Sequence, residues 1–179
     1  ESYRAIDEDA VALACTTELL HTASLMLDDL PSMDDAELRR GKPTNHRVFG
    51  ESTTILASMA LWSEAIRILT TITNEAMNDI IRETAESVGN RGLVRGQYID
   101  LDVQHRPTQV ADLDDCAYLK TGVLFKNAAG IGARFVGASA AEQTILENFG
   151  KEFGLIYQMR DDLLDATATA TSIGKDVGI

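Results

Sequence analysis

The sequence predicts an all-α fold, a helical bundle formed by a single domain over residues 1–179. Alanine and aliphatic side chains are abundant, aromatic residues make up only 6% of the chain, and only three prolines interrupt it. Such a composition favours helices over sheets. Apolar residues also recur at helical spacing in successive segments, whereas strand patterns are weak. A chain of this length can bury a core of its own.

The first half of the chain is predicted to contain two long helices separated by a loop. The first runs from Asp7, its N-terminal cap, to Leu30, and Pro31 stops it. Glycine, proline and basic residues over 39–50 predict the loop. Ser52 is predicted to cap the second helix, whose apolar positions at helical spacing are Ile55, Leu56, Met59, Trp62, Ile66 and Leu69.

Four further helices are predicted after the second. The third and fourth cover about 75–88 and 92–103, and each ends near a glycine or a proline. The fifth covers about 110–136, and its internal glycines, Gly122 and Gly130, favour kinks.

The last helix has the clearest start. Ser139 and Glu142 have the capping-box spacing, in which each side chain bonds to the backbone N–H of the other residue. Its predicted apolar stripe consists of Ile145, Leu146, Phe149, Phe153, Ile156, Tyr157 and Leu164.

The charge balance limits the expected partners and compartment. With 16 basic and 28 acidic residues, the net charge of −12 would repel nucleic acid and anionic lipid, so neither is an expected partner. Cys15 and Cys116 lack metal-ligand spacing, which favours reduced, buried thiols. No stretch is judged long and apolar enough to span a membrane, so we expect a cytoplasmic protein. The chain starts without Met, and we expect it to be incomplete at its termini.

Four carboxylates crowd the end of the first helix: Asp28, Asp29, Asp34 and Asp35. They repel one another at the negative end of the helix dipole, so a bound cation would relieve an unfavourable energy. Because Pro31 ends the regular helix, the backbone can bring Asp34 back toward Asp28. Hard oxygen ligands with room for water and phosphate suit Mg²⁺. The alternative is an ordinary solvated acidic helix end.

A second acidic cluster lies in the last helix. Asp161 and Asp165 are four residues apart and share one helix face, with Asp162 beside them and Gln158 one turn earlier. Carboxylates inside an otherwise apolar helix are costly unless a counter-charge is near. A solvated face is again the alternative, but two such clusters, each preceded by an apolar helix, favour a shared function.

Basic residues near the two clusters suit a phosphorylated ligand, although each alone is more commonly a surface cation. They are Arg39, Arg40 and Lys42 after the first cluster, Lys120 between the clusters and Lys175 after the second. Arginine matches phosphate oxygens with two parallel hydrogen bonds, and lysine acts as a point charge. Beside two acidic clusters they indicate a receptor for diphosphates.

His21 lies two turns before Asp28 on nearly the same helix face, where a structural role and a functional role are about equally expected. Glu18 and His21 have the Glu-x-x-His spacing of carboxylate-bridged di-iron bundles. Such a site requires a second motif, and Asp102 with His105 is an imperfect one. Di-iron is therefore the weaker interpretation.

Together these motifs resemble those of the trans-prenyl diphosphate synthases, most closely the bacterial carotenoid-type geranylgeranyl diphosphate synthases. The family's first motif matches Asp28-Asp29-(four residues)-Asp34 followed by Arg39-Arg40-Gly41, and its second matches Gln158-(two residues)-Asp161-Asp162-(two residues)-Asp165. Further similar landmarks are Lys120-Thr121-Gly122 and Gly96-Gln97-(two residues)-Asp100-Leu101. The resemblance implies an isoprenoid-synthase-type bundle around a central cavity, Mg²⁺ as cofactor and a homodimer.

The resemblance also implies a role for each matching residue. The implied substrates are isopentenyl diphosphate and an allylic diphosphate, and the expected product is geranylgeranyl diphosphate. The implied metal ligands are Asp28, Asp29, Asp34, Asp161 and Asp165. The implied catalytic residues are Asp28, Asp29, Asp34, Arg39, Lys120, Asp161 and Asp162. The implied substrate-binding residues are His21, Arg39, Arg40, Lys120, Thr121, Gln158 and Lys175, of which His21 and Arg40 would serve isopentenyl diphosphate.

Chain length is expected to depend on the small residues Ala23 and Ser24, one turn before Asp28, since bulky aromatics there would close the cavity. Met26 or Trp62 could still form the floor. We expect Ala23→Phe to shorten the product. The family's N-terminal Gly-Lys-Arg element for isopentenyl diphosphate is missing from this sequence, which we attribute to truncation or disorder.

Three alternatives stay open. A farnesyl or longer-chain diphosphate synthase would share every motif. A class I terpene cyclase would share the bundle and the first motif, but its second metal motif is typically an Asn/Ser/Glu pattern. A non-catalytic regulatory subunit would often lose an acidic motif, whereas both are intact here.

Overall fold

The computed structural model describes residues 7–103 and 110–167 and confirms the all-α prediction. Within these residues the helices are α1 (Glu8–Asp28), α2 (Asn45–Phe49), α3 (Glu51–Thr71), α4 (Met77–Val88), α5 (Leu93–Val103), α6 (Val110–Ala117), α7 (Val123–Phe135) and α8 (Ala140–Thr167). A π-helical turn, Tyr118–Gly122, joins α6 to α7. Two short strands, β1 (Leu38–Arg39) and β2 (Lys42–Pro43), form an antiparallel hairpin after α1.

Two predicted helix starts are confirmed by their capping bonds. Asp7 caps α1, because its Oδ1 accepts a hydrogen bond from the Ala10 N–H at 2.9 Å. Before α8, the Ser139 N–H donates to Glu142 Oε2 at 2.9 Å and the Glu142 N–H donates to Ser139 Oγ at 3.4 Å. Caps of this kind satisfy N–H groups that the first helical turn leaves without partners.

The segment predicted as a loop over 39–50 contains the hairpin and α2 instead. The two-residue hairpin turn has a positive φ at both Arg40 (54°) and Gly41 (74°), which matches the twist of the paired strands. Positive φ is uncommon for arginine. The basic residues beside the first acidic cluster therefore occupy a defined hairpin.

Helix α3 packs on α1 through small side chains rather than through its apolar stripe. Ala23, Ser58 and Ala65 are fully buried, and Ser58 Oγ donates a hydrogen bond to the Ala23 carbonyl at 2.9 Å. The predicted stripe is wrong for most of its members, because exposed fractions of 40–66% are found at Ile55, Leu56, Met59 and Ile66. The predicted Ser52 cap is also wrong, since α3 begins directly after Gly50.

Helix α8 packs on the preceding helix through glycines. A Cβ atom added to Gly150 would lie 2.5 Å from the Phe125 carbonyl oxygen, and one added to Gly154 would lie 2.6 Å from Gly122 Cα. Side chains at these positions would separate the two backbones. The predicted apolar stripe of α8 is largely exposed instead, with exposed fractions of 37–66% at Ile145, Leu146, Phe149, Phe153, Ile156 and Tyr157.

The predicted fifth helix is one helical run with a local change of pitch. The π-helical turn ends at Gly122, as the predicted kink there suggests. No break occurs at Gly130, where α7 continues and a Cβ atom would lie 3.0 Å from Glu147 Cγ. That glycine therefore makes room for a side chain of α8.

Two apolar clusters form the core of the described residues. The first joins α1, α3, α4 and α7 through Leu13, Leu69, Ile72, Met77, Ile80, Ile131 and Phe135. The second lies nearer the acidic end of α1 and consists of Leu20, Ala65, Val88, Val123 and Leu124. Cys116 is buried as predicted, but Cys15 is exposed, which corrects that half of the expectation.

Helix α1 is long and apolar enough, by length and composition alone, to cross a membrane, with a mean hydropathy of 1.4. This corrects the expectation that no such stretch exists. Core helices of soluble proteins meet the same criterion, and Leu13, Leu20 and Ala23 of α1 are buried in the bundle. The composition of α1 therefore decides nothing about a membrane.

Candidate active site

The first acidic cluster folds back on the end of α1. After Pro31 the chain turns so that the Asp34 N–H donates to the Asp28 carbonyl at 3.0 Å, which confirms the predicted return of the backbone. Asp35 has a positive φ of 48° in this turn. Asp29 is 3% exposed, and the side chains of Asp28 and Asp34 are 14% and 17% exposed. Three carboxylates are thus drawn together in a largely buried position.

Arg39 of the hairpin neutralises two of these carboxylates. Its Nε donates to Asp29 Oδ1 at 2.7 Å, and its Nη2 donates to Asp28 Oδ2 at 3.4 Å. A guanidinium group binds carboxylate and phosphate oxygens with the same fork of N–H groups. Arg39 could therefore exchange a carboxylate for a diphosphate.

Lys120 of the π-helical turn provides a second counter-charge. Its Nζ lies 2.6 Å from Asp100 Oδ2, 3.3 Å from Asp28 Oδ1 and 3.8 Å from Asp34 Oδ2. One ammonium group thus serves three carboxylates from α1, α5 and the turn after α1. This arrangement places positive charge where the sequence predicts a metal ion.

Two buried carboxylate oxygens nevertheless lack a hydrogen bond. They are Asp28 Oδ1, which has only the ion pair with Lys120, and Asp34 Oδ1. Burying an unpaired carboxylate oxygen is costly, and a divalent cation would satisfy it. Within residues 7–103 and 110–167, no three His, Cys, Asp or Glu side chains are already grouped around one metal position. Cation binding would therefore require Lys120 to give up part of its contacts.

The burial of these groups shifts their pKa values. Burial raises the pKa of Asp34 to about 6, and the Asp28 carboxylate adds to the rise. Burial also raises the pKa of Asp29, against the hydrogen bond from its guanidinium partner. Burial alone would lower the pKa of Lys120, but the surrounding carboxylates raise it above its usual value, so the ammonium stays charged.

The raised pKa of Asp34 predicts that stability depends on pH in the metal-free protein. The folded state binds this proton more tightly than the unfolded state, so ionised Asp34 destabilises the fold above about pH 6. We expect Asp34→Asn to raise the free energy of unfolding at about pH 7.5 by roughly 1–2 kcal/mol. The gain should shrink as pH falls toward about 4, because the wild-type carboxyl is then neutral too. Urea unfolding in EDTA measures the gain, and one that is independent of pH would contradict this origin.

The second acidic cluster lies on α8 and contacts the same π-helical turn. Thr121 Oγ1 donates to Gln158 Oε1 at 2.5 Å, and Gln158 Nε2 donates to Asp162 Oδ1 at 2.8 Å. Asp161 is half-buried and Asp162 is exposed. Consecutive residues of the turn, Lys120 and Thr121, therefore contact the first cluster and the helix of the second.

A separate pocket of about 210 Å³ adjoins the first cluster on the side of the hairpin. His21, Asp29, Arg39, Arg40 and Thr44 are among its lining residues. Burial lowers the pKa of His21, and the two arginines lower it further against the opposing effect of Glu18. The pocket combines a neutral imidazole with two guanidinium groups, which suits an anionic ligand.

Comparison with known proteins identifies the family. The sequence profile of the polyprenyl synthetase family matches residues 2–179, almost the whole chain. The chain belongs to the polyprenyl synthetase family. The family resemblance predicted from the two aspartate-rich motifs is thereby confirmed.

Relatives of this polyprenyl synthetase chain carry the names of diphosphate synthases. It is 43% identical over 183 residues to geranylgeranyl pyrophosphate synthase 6, mitochondrial, of Arabidopsis thaliana, covering 96% of this chain and 54% of the relative. It is 40% identical over 183 residues to farnesyl diphosphate synthase of Geobacillus stearothermophilus, covering 98% of this chain and 62% of the relative. The chain thus spans little more than half the length of these relatives.

A solved structure of a related enzyme shares the fold. The geranyltransferase of Helicobacter pylori, crystallised with magnesium and isoprenyl diphosphate, superposes with a TM-score of 0.86 at 31% identity. The match covers 94% of this chain and 56% of that one. The isoprenoid-synthase type of bundle predicted for this polyprenyl synthetase chain is confirmed.

The structure does not reach every residue that the family resemblance implicates. Lys175 lies outside the described residues, and Asp165 lies on α8 with its side chain outside them. Ala23 is fully buried against α3, so it borders packed protein rather than an open cavity. Ser24 is half-buried, and its Oγ donates to the His21 carbonyl at 2.8 Å. Their role in chain length stays a prediction.

Asp100 contacts a site residue of this polyprenyl synthetase chain, but no role was predicted for it from the sequence. Asp100 stood only as a landmark in the sequence Gly96-Gln97-(two residues)-Asp100, yet it is the carboxylate closest to Lys120. An acidic residue on the helix between two motifs gives no sign of its partner. Contact between α5 and the π-helical turn creates the pair, so only the tertiary structure reveals it.

Proposed function

We propose that the full-length protein condenses an allylic diphosphate with isopentenyl diphosphate to give a longer trans-prenyl diphosphate. The observation that carries this proposal is the π-helical turn between the acidic clusters. Its Lys120 contacts Asp28 and Asp34, and the adjacent Thr121 contacts Gln158, which binds Asp162. Both aspartate motifs are thereby linked through one short segment, as a shared diphosphate site requires.

Magnesium fits the first cluster by donor chemistry. Asp28 and Asp34 each present a buried oxygen without a hydrogen bond, and hard carboxylate oxygens are preferred by this ion. We infer that Asp28, Asp29, Asp34, Asp161 and Asp165 would hold Mg²⁺. When bound, Mg²⁺ acts as a Lewis acid toward the diphosphate oxygens.

The cations of this chain would then contact the substrate. Arg39 and Lys120 lie within ion-pair distance of Asp28, and both can turn from carboxylate to phosphate oxygens. There they would stabilise the diphosphate that departs as the allylic C–O bond breaks. The Thr121 hydroxyl and the Gln158 amide, which bond to each other, would orient the reacting end of the substrate. The double bond of isopentenyl diphosphate attacks the resulting cation, and the released diphosphate accepts the proton whose loss completes the step.

Isopentenyl diphosphate is assigned to the pocket beside the hairpin. His21 and Arg40 line it together with Arg39, so three side chains that can donate N–H hydrogen bonds line a space of about 210 Å³. Their common location supports the roles that the family resemblance implies for His21 and Arg40. Thr44 supplies a hydroxyl at the same pocket, although it already donates to the Ala36 carbonyl at 2.7 Å.

The deciding experiment is a condensation assay. The full-length protein is incubated with isopentenyl diphosphate and labelled dimethylallyl, geranyl or farnesyl diphosphate, with Mg²⁺ or with EDTA. We expect longer prenyl diphosphates only with Mg²⁺, identified by chromatography after removal of the phosphates. No condensation with any allylic substrate would refute the proposal, and a changed product when a catalytic relative is added would instead indicate a regulatory subunit.

We propose geranylgeranyl diphosphate as the product, and a farnesyl diphosphate synthase is the alternative that a relative at 40% identity supports. Phenylalanine substitutions at residues 23 and 24 are expected to affect stability and product length differently. Ala23→Phe should chiefly destabilise the α1–α3 contact, by about 1–3 kcal/mol, because Ala23 is fully buried there. Ser24→Phe, at a half-buried position, should shorten the product with a smaller loss of stability. Thermal unfolding and product analysis separate the effects, and an unchanged product in S24F would remove residue 24 from chain-length control.

We also propose that the protein is a homodimer. The exposed apolar side chains Ile55, Met59 and Ile66 lie along one face of α3, and a second copy would remove this face from water. Sedimentation equilibrium of the full-length protein measures the mass directly. A monomer at micromolar concentration would contradict the proposal.

A further inference from the structure

Lys120 contacts three carboxylates that would have different roles in the proposed site. Asp28 and Asp34 belong to the proposed metal site, whereas Asp100 comes from α5 and makes the shortest contact, 2.6 Å. The Lys120 ammonium lies 3.3 Å and 3.8 Å from the other two. The lysine is therefore anchored to one carboxylate and in looser contact with the two that would bind the cation.

The backbone around Asp100 is built for this contact. A Cβ atom on Gly96, one turn earlier on α5, would lie 2.3 Å from Lys120 N and 2.5 Å from Leu119 C. Only a glycine lets α5 approach the π-helical turn so closely. Cys116 strengthens the junction, since its Sγ lies 3.7 Å from the Gly96 carbonyl oxygen and 3.6 Å from Asp100 Oδ1. Both carboxylate oxygens of Asp100 are thus engaged from the same segment.

We propose that Asp100 is a positioning residue that retains Lys120 beside the diphosphate site when a divalent cation takes its place between Asp28 and Asp34. This inference rests on the proposed function. In this structure the ammonium lies 3.3 Å from Asp28 and 3.8 Å from Asp34 and offsets the charge of the cluster. With a cation bound to the cluster, the ammonium would give up the two longer contacts, keep the shorter one and stay within reach of a phosphate oxygen.

Lys120 and the cation would compete for Asp28 and Asp34, and the effect of this competition on cation affinity can be measured. Without the Asp100 carboxylate, Lys120 would pair fully with Asp28 and Asp34 and oppose the cation more strongly. Removing Lys120 itself should relieve that opposition. The effect of Asp100 on cation affinity should therefore depend on whether Lys120 is present.

A different role for Asp100 predicts a different pattern. If Asp100 were a direct ligand of the cation, or acted only through its charge, its loss would weaken cation binding whether or not Lys120 is present. A double-mutant cycle distinguishes these cases, because coupling between contacting residues shows as non-additivity. The Asp100→Asn substitution preserves shape and removes the charge.

The experiment measures Mn²⁺ affinity of the full-length protein by the loss of the free-ion electron paramagnetic resonance signal. Wild type, D100N, K120M and the double variant are compared with and without inorganic pyrophosphate. D114N, which removes an exposed carboxylate of the neighbouring α6, is the matched charge control. We expect D100N to weaken Mn²⁺ binding about three- to tenfold, K120M to tighten it, and D100N to have less than about a twofold effect in the K120M background.

Several results would overturn the inference. They are equal losses from D100N in both backgrounds, an equal loss from D114N, or weaker Mn²⁺ binding in K120M. If D100N does not fold, Asp100→Ser in both Lys120 backgrounds gives the same comparison with the same outcomes. Condensation by the wild type tests the proposed function separately: an active enzyme without coupling overturns only the role of Asp100, and an inactive protein with coupling overturns only the proposed reaction.

Discussion

Replacing Asp28 with Asn is expected to reduce the rate of condensation by about 10²–10³-fold or more. Asp28 is the residue on which the first cluster converges, because Arg39, Lys120 and the Asp34 backbone all contact it. The amide would remove a negative charge and replace one of the two carboxylate oxygens with an N–H donor, which repels cations. The proposed metal site would be lost, and Arg39 and Lys120 would each lose one carboxylate partner. Steady-state rates at several Mg²⁺ concentrations measure the effect.

Asp35→Asn is the matched control for this prediction. Asp35 belongs to the same turn, is exposed and has a positive φ that asparagine also tolerates. We expect its activity to stay within about twofold of wild type, since surface substitutions seldom have large effects. Equal losses in D28N and D35N would show that activity follows the net charge of the turn rather than the convergence on Asp28.

Replacing Gly154 with Ala is expected to destabilise the protein by about 1–3 kcal/mol or more and to reduce activity with it. The added Cβ would lie 2.6 Å from Gly122 Cα and 3.0 Å from a ring carbon of Phe125, so α8 must move away from the π-helical turn. That movement would lengthen the contact between Thr121 and Gln158. Thermal unfolding should show a fall of about 2–4 °C for each kcal/mol.

Gly132→Ala is the control for the glycine prediction. Gly132 also lies inside a helix, α7, but a Cβ atom there meets nothing within 4 Å. Alanine is the better helix former, so we expect G132A to raise stability by about 0.5–1 kcal/mol. A destabilised G132A, or a G154A protein as stable as wild type, would contradict the packing described here.

Local chemistry made the acidic end of α1 predictable. A proline after the helix allows the backbone to turn back, and the Asp34 N–H does donate to the Asp28 carbonyl. The cap of α1 and the capping box of α8 were predictable for the same reason, since each involves residues a few positions apart. These features need no information from distant parts of the chain.

The packing faces of α3 and α8 could not be predicted from periodicity. Their apolar residues do recur at helical spacing, but the faces that meet α1 and α7 carry small residues such as Ser58, Gly150 and Gly154. Small residues let the helix backbones approach closely, so these faces form the contacts instead of the faces with larger side chains. Apolar residues at helical spacing indicate which side chains share a helix face, but they do not indicate which part of the protein packs on that face.

The contacts of the site residues depend on tertiary structure for a similar reason. Lys120 and Thr121 are adjacent in sequence, and nothing local indicates that they serve different helices. Their separation follows from the π-helical turn, which Gly96 approaches from one helix and Gly154 from another. Asp100 became recognisable as a partner only once that approach was seen.

The π-helical turn, Tyr118–Gly122, also restricts how the length of this segment could vary. Such a turn accommodates one residue more than regular α-helix would. Deleting a single residue there would restore regular α-helix and leave α6 and α7 in phase, but it would change the directions of the side chains within the turn itself. Lys120 and Thr121 could then no longer reach Asp28 and Gln158 together. The spacing between Cys116 and Gly122 is therefore expected to tolerate substitution far better than a change in length.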